Sequence, residues 1–169
     1  MSVFGAAKGF ISGDYIESAE AIANLISGWN FFLTTEVVVG ITEETNVGRG
    51  KNQTNASLLY QNEQGCPAQN IPPRPVLQPA IAQPEVKKQI EELMMKAAES
   101  ALVFGNQSAA EGEFHKAGMV GRDACKKYIS DGSHLAPNAP RTIAIKGSST
   151  PLVDTGSMLG SITYAVRKK

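Results

Sequence analysis

The spacing of hydrophobic residues changes along this chain and predicts both helices and strands. Near the amino terminus, Asp14 followed by Glu17 is a variant of the capping box, which marks the start of a helix. Apolar residues then recur at three- and four-residue spacing, and Gly28 tolerates the left-handed conformation of a helix end. The first predicted helix therefore begins at Asp14 and ends near Ser27.

Elsewhere apolar residues recur every second residue, which is typical of strands with one buried face. Residues 34–41 show this alternation, residues 56–61 predict a second strand, and two more are predicted at 142–145 and 161–166. The polar segment 42–55 between the first two strands is too long for a tight turn. We therefore expect an extended hairpin loop that is mobile in the free subunit and ordered against a neighbouring molecule.

Prolines separate the first strands from two long helical patterns. Residues 65–84 are rich in proline, which excludes a helix and predicts a stiff, extended segment. Pro84 opens a helix, because proline is favoured at the first helical position. Ser108 can cap a second helix, which Asp131 and Gly132 end.

The order of these elements is typical of the α+β class. An antiparallel β-sheet with a long hairpin arm, covered by a layer of about three helices, is the simplest way to bury their one-sided apolar faces. With 169 residues, of which 42% are hydrophobic, the chain is long enough for a core without disulfides or a metal. We predict a single domain over residues 1–169.

The charge balance narrows the range of functions. The 16 Lys and Arg residues equal the 16 Asp and Glu residues in number, which argues against a dedicated nucleic-acid binder. Residues 1–84 nevertheless carry a net charge of −3, and residues 85–169 carry +3. These halves can attract each other within one molecule or between neighbouring copies. We also expect a cytosolic chain outside the membrane, because it has neither a signal-peptide pattern nor a long apolar run.

One tripeptide suggests an enzyme. Asp154-Thr155-Gly156 matches the triplet of aspartic proteases, whose paired carboxylates share a proton and activate water. Only 13 residues follow Gly156 and the triplet occurs once, so such an enzyme would have to be a symmetric dimer. We favour a structural role, in which Asp154 or Thr155 caps a short helix at 157–160.

Other candidate chemistry is weaker. The run 48–51 (GRGK) resembles part of a phosphate-binding loop, but it lacks the earlier glycine and the hydroxyl residue after the lysine. His115 and His134 have no cysteine or second histidine at the spacing of metal ligands. We predict no catalytic, cofactor-binding or metal-binding residue, and we take Arg49 and Lys51 as candidate contact residues.

Four segments carry short motifs in a characteristic order: 55–65 (NASLLYQNEQG), 71–80 (IPPRPVLQPA), 136–143 (APNAPRTI) and 151–164 (PLVDTGSMLGSITY). Together they resemble the tail-completion or neck proteins of tailed bacteriophages. In that family a His-Glu-aromatic-Gly signature precedes an Ile-Pro-x-Arg-Pro-aromatic segment, and Leu-Ile-Asp-Thr-Gly-x-Leu precedes a last strand. Here Asn62, Gln64 and Val76 stand where the family often has histidine, an aromatic residue and phenylalanine.

This resemblance implies a structural virion protein without an active site or cofactor. Such a protein forms a ring in the neck, a hexamer or dodecamer, which joins the head connector to the tail tube and surrounds the DNA channel. Its partners would be copies of itself, the portal or connector, and tail tube or tail terminator proteins, with non-specific DNA contact and no membrane. It would assemble in the host bacterial cytoplasm. A dimeric aspartic protease and a small cytosolic protein-binding module are the alternatives.

The proline-rich segment supplies the remaining interface candidates, which are Ile71, Arg74, Val76 and Leu77. A stiff segment loses little entropy when an interface orders it, which favours its use in docking. The Arg74 side chain could pair with a carboxylate of the next subunit or pin the segment to its own domain. Replacing Arg74 by alanine would weaken ring formation in the first case and lower the melting temperature in the second.

Overall fold

The computed structural model describes residues 19–50 and 53–169 of the chain. In this part, the α-helices are α1 (Ala19–Thr34), α2 (Asn55–Gln64), α3 (Leu77–Ile81), α4 (Pro84–Ala98), α5 (Gln107–Asp131), α6 (Pro140–Lys146) and α7 (Ser157–Ser161). The strands β1 (Thr35–Gly40) and β2 (Thr163–Lys168) pair with each other. The predicted α+β class is confirmed, with an antiparallel pair of strands among the helices.

The chain divides into two compact units. The first comprises the described residues up to Val38 with Lys88–Gly118 and Val166–Lys169, and the second comprises Val39–Lys87 and Met119–Ala165. Each unit has its own cluster of buried hydrophobic residues. The single domain expected over 1–169 stays a prediction.

Aromatic rings dominate the core of the first unit. Phe31 of α1 and Phe114 of α5 are buried, with ring centroids 5.2 Å apart, and Phe32 meets Phe114 edge-on. Val37 of β1 and Val166 of β2 pack against the same core. The helices that contribute to this core, α1, α4 and α5, are the three longest described. They cover this part of the sheet, as the one-sided apolar patterns predict.

The first helix does not end at Ser27, so that prediction was wrong. The capping box at 14–17 lies outside the described residues, and α1 continues to Thr34. Gly28 is buried within α1, and a Cβ atom there would lie 2.7 Å from the carbonyl carbon of Ala101 and closer still to its oxygen. The glycine therefore permits two backbones to approach closely instead of ending the helix.

Aliphatic side chains form the core of the second unit. The hydrophobic residues of this unit that are at most 1% exposed are Val76, Ala80, Cys125, Ile129 and Ile162. Leu59, Leu135 and Met158 complete the buried cluster. These residues are far apart in sequence, so the core brings together α2, α3, α5 and α7.

Residues 56–61 belong to helix α2, and the strand predicted there is wrong. The Ser57 amide donates to Thr54 Oγ1 at 3.2 Å, and the Thr54 amide donates to Ser57 Oγ at 2.9 Å. This reciprocal capping box satisfies amides that the start of a helix leaves unpaired. The segment 42–55 consequently links a strand to a helix, and it is not the predicted hairpin loop.

The strand predicted over 142–145 is also wrong, because these residues lie in α6. Pro140 occupies the first turn, where its missing N–H is not needed, and Gly147 follows the helix with φ of +70°. Ile143 and Ile145 are both exposed. An alternating pattern favours a strand only when the fold buries one of its faces, and here both isoleucines stay at the surface.

Helix α3 lies inside the segment 65–84, for which the prolines predict no helix. Pro79 is the third residue of α3, and amides in a first helical turn have no partner within the helix. Its missing N–H therefore costs no hydrogen bond. Residues 71–76 are non-helical, as predicted.

The ends of the long helices agree closely with the prediction. Helix α4 begins at Pro84 and passes into a π-helical turn over Glu99–Val103. Helix α5 ends at Asp131, and Gly132 follows with φ of +64°. The start of α4 and the end of α5 follow from the local backbone preferences of proline and glycine.

The start of α5 differs in its capping residue. Asn106 Oδ1 accepts a hydrogen bond from the Ala109 amide at 2.9 Å, so Asn106 performs the role predicted for Ser108. The short helix expected at 157–160 is confirmed as α7.

Candidate functional site

Polar groups from three of the four motif segments meet in the second unit. Arg74 Nε donates to the carbonyl oxygen of Ala136 at 2.7 Å, and Arg74 Nη2 donates to that of Pro137 at 2.9 Å. Arg74 Nη1 lies 3.5 Å from Asn62 Oδ1, and the Arg74 amide donates to the Asn62 carbonyl at 2.6 Å. We call Asn62, Arg74, Ala136 and Pro137 the Arg74 cluster.

The burial of Arg74 makes the hydrogen bonds of the Arg74 cluster important for the stability of the folded state. Arg74 is only 8% exposed. Burial lowers the pKa of its guanidinium, which stays charged because an arginine pKa begins far above neutrality. A buried charge needs hydrogen-bond partners, and the carbonyl oxygens of Ala136 and Pro137 supply them. Arg74 therefore pins the proline-rich segment to the loop before α6, within one unit.

Glu63 orients the next part of the proline-rich segment. Its Oε1 atom accepts hydrogen bonds from the amides of Val76 and Leu77, both at 2.8 Å. These amides lie at the start of α3, where a helix leaves N–H groups unpaired and favours negative charge. Arg74 and Glu63 thus hold consecutive parts of the segment in place.

The interface candidates of the proline-rich segment are mostly turned inward. Arg74 and Val76 are buried, so neither side chain is presented to a partner in this structure. Leu77 is partly buried and packs against the core of the second unit. Ile71 is partly buried and exchanges two backbone hydrogen bonds with Cys66.

Of the two basic contact candidates, Arg49 is described and Lys51 lies outside the described residues. Arg49 is exposed, but its Nε atom donates to Oδ1 of the fully buried Asn55 at 2.5 Å. The Asn55 amide nitrogen in turn lies 3.0 Å from Ser157 Oγ and 2.7 Å from Ser161 Oγ. Asn55 therefore joins the start of α2 to α7.

Neither Asn55 nor Glu63 stands out as a structural residue when residues 56–61 are taken as a strand. A helix that begins after Thr54 places Asn55, Leu59 and Asn62 on one face, and these three are the buried residues of α2. The Thr54–Ser57 capping box is the signal in the sequence that could have indicated this helix.

Two apolar surfaces of the second unit are open to solvent. One is a groove of about 320 Å³ beside α2 and the end of β1, lined by residues that include Ile41, Tyr60 and Leu77. The other is on α6, where Ile145 is 78% exposed. The Lys146 ammonium donates to the Thr150 carbonyl at 2.6 Å and holds the end of α6.

The residues that suggested chemistry occupy structural or surface positions. Asp154 is exposed, and it is Thr155 whose Oγ1 accepts a 3.4 Å hydrogen bond from the Ser157 amide before α7. The His134 ring stacks on Tyr128 with centroids 5.2 Å apart. Within 19–50 and 53–169, acidic, histidine and cysteine side chains form no group of three that could hold a metal ion. No helix in the described part is long and apolar enough to span a bilayer.

The two cysteines should differ sharply in reactivity. Burial, with a smaller contribution from nearby Glu63, raises the pKa of Cys125 to about 11, whereas Cys66 is partly exposed. Because the thiolate is the nucleophile, native protein at mildly alkaline pH should react with Ellman's reagent at Cys66 alone, and at both thiols after denaturation. Cys66→Ser should abolish the native reaction. Two rapidly reacting thiols in the native protein would contradict this expectation.

Comparison with known proteins adds no assignment: no family model, no curated protein and no solved structure matches the chain. The function must therefore be argued from the motif segments and from the contacts among them.

Proposed function

We propose that this chain is a structural protein of the bacteriophage neck. Copies of it form a ring that joins the head connector to the tail tube and surrounds the DNA channel. The chain acts through interfaces, without catalysis or a cofactor. Its partners are further copies of itself, the portal or connector, and tail tube or tail terminator proteins of the virion.

Contact between the motif segments is the observation that carries this proposal. Arg74 of the second segment contacts Asn62 of the first and Ala136 of the third, and Asn55 of the first contacts Ser157 of the fourth. These contacts are the ones that a structural unit built from the four motifs requires. Their packing in one unit supports a structural basis for the resemblance.

A closed ring requires two different faces on each subunit that fit each other. We assign one face to the side of α6 that bears exposed Ile145, and the other to the groove that includes Ile41 and Tyr60. Projecting aliphatic side chains and an apolar groove are complementary in shape and polarity, and burying both removes apolar surface from water. The opposite net charges of residues 1–84 and 85–169 add attraction between neighbouring copies.

Native mass spectrometry and negative-stain electron microscopy of the purified full chain test the proposal. We expect closed rings with a central opening that admits duplex DNA. Ile145→Glu places a charge in the proposed contact and should prevent ring closure while the subunit stays folded. Ser130→Glu, at an exposed position of α5 outside the assigned contact, is the matched control and should leave the rings intact.

The absence of rings at any protein concentration would refute the neck function. A ring that tolerates Ile145→Glu would refute only the assigned contact. Loss of a defined proteolytic product in Asp154→Asn would favour the dimeric protease instead.

A further inference from the structure

The groove beside α2 and the helix α6 carry charges of opposite sign. Among the described residues that line the groove, Glu63 is the only charged one. Segments 40–48 and 52–73 supply most of the lining, and they contain three acidic residues and no lysine or arginine. Residues 132–153, which include α6, contain one arginine, one lysine and no acidic residue. The two surfaces of the assigned contact are therefore complementary in charge as well as in shape.

Glu63 has one carboxylate oxygen available to a partner. Its Oε1 atom accepts the amides of Val76 and Leu77, which fixes the orientation of the carboxylate. Its Oε2 atom makes none of the described hydrogen bonds. Within the described part of the chain, the one buried side-chain oxygen that lacks a partner is Glu113 Oε2, so Glu63 Oε2 is open to solvent. A donor that reaches this oxygen meets an acceptor that is already ordered, which lowers the entropic cost of binding.

Arg141 is the matching cation on α6. It lies four residues before Ile145, so both side chains project from the same side of the helix. Arg141 is exposed, and its side chain has no hydrogen-bond or ion-pair partner within 19–50 and 53–169. Lys146, the other cation of α6, is held by the Thr150 carbonyl at 2.6 Å. Arg141 is therefore the cation that enters a contact together with Ile145.

The apolar and charged groups have matching spacings on the two helices. Tyr60 and Glu63 of α2 are three residues apart, and Arg141 and Ile145 of α6 are four residues apart, which is about one helical turn in each case. When α6 runs antiparallel to α2, Ile145 reaches the apolar lining at Tyr60 while Arg141 reaches Glu63. A parallel α6 would direct Arg141 toward the start of α2, away from Glu63.

We infer that Arg141 of one copy pairs with Glu63 of the next copy where Ile145 fills the groove, with α6 antiparallel to α2 of that copy. This inference rests on the proposed function, because it supplies the charged pair of the assigned ring contact. Removal of Ile145 from water drives association. The charged pair fixes the direction of α6, because only the antiparallel arrangement joins the opposite charges.

Two variants of the full chain isolate a single contact. The first carries Ile145→Glu and keeps its groove. The second carries Tyr60→Lys, which places a cation in the groove at a residue that is 68% exposed, and it keeps its α6. Each variant alone should be monomeric, because one of its two faces is lost. An equal mixture should form a 1:1 dimer and no larger species, and sedimentation velocity over a concentration series measures its affinity.

A double-mutant cycle in this mixed dimer tests the charged pair. Glu63→Gln in the first variant removes the charge and keeps an acceptor for the two amides, and Arg141→Gln in the second removes the cation. Each should weaken the dimer roughly 10-fold, and both together should also weaken it roughly 10-fold, because either substitution alone already removes the pair. Lys127→Gln in the second variant removes an exposed cation of α5 and is the control, which should leave the affinity unchanged.

Three outcomes would overturn the inference: no dimer in the mixture, no effect of Arg141→Gln, or effects that multiply to about 100-fold in the double substitution. If the unsubstituted chain still forms closed rings in any of these cases, the neck function stands without this pair. If the cycle shows the pair but the unsubstituted chain forms open filaments instead of closed rings, the contact holds and the neck function fails.

Discussion

Replacing Arg74 by alanine should lower the free energy of unfolding by about 3 kcal/mol and the melting temperature by roughly 10 °C. The substitution removes a buried cation that donates to two carbonyl oxygens at 2.7 and 2.9 Å. It also leaves the oxygens of Ala136 and Pro137 without these donors. Both effects destabilise the folded state, and urea unfolding followed by circular dichroism measures their sum.

The controls for Arg74 separate its charge from its geometry. Arg141→Ala removes an exposed arginine from α6 and should change stability by no more than about 0.5 kcal/mol. Arg74→Lys should be intermediate, because an ammonium group cannot place two donors as a planar guanidinium does. Unchanged stability of Arg74→Ala together with weaker ring formation would contradict the pinning role and favour the interface role.

Replacing Gly28 by alanine should destabilise the protein by about 2 kcal/mol, although alanine is the better helix former. The added Cβ would lie 2.7 Å from the carbonyl carbon of Ala101, which belongs to the backbone and cannot rotate away. Helix α1 would have to separate from the π-helical turn, and the contacts around Phe31 would loosen. Thermal unfolding monitored by circular dichroism gives the size of the effect.

Gly112→Ala is the matched control for Gly28→Ala, and it should change stability in the opposite direction. Gly112 also lies inside a helix, α5, but a Cβ there meets no atom within 4 Å. The gain in helix propensity should therefore stabilise the protein by about 0.5–1 kcal/mol. If both variants were stabilised, the close approach at Gly28 would not constrain α1.

Several helix and strand boundaries could be predicted from the sequence, because the residues that set them are neighbours in the chain. Helix α4 begins at Pro84 and helix α5 ends at Asp131, where proline and glycine impose backbone preferences that do not depend on the rest of the fold. Strand β1 follows the alternation in residues 34–41, which persists long enough to exclude a helical period.

For short segments, the sequence could not decide between a helix and a strand. Residues 56–61 and 142–145 are compatible with an alternating pattern, and both belong to helices. In so few residues the two periods are hard to distinguish, and the choice depends on which face the rest of the chain buries. For α2 that partner includes Ser157 and Ser161, which lie in another part of the sequence.

The sequence by itself determined the α+β class and the balance of charge, and it carries the order of motifs from which we propose the neck function. The tertiary structure alone decided that Arg74 binds carbonyl groups of its own subunit and that Gly28 continues a helix. Composition and period are properties of neighbouring residues, whereas burial and close approach depend on atoms brought together from distant positions. A local pattern carries no information about those distances.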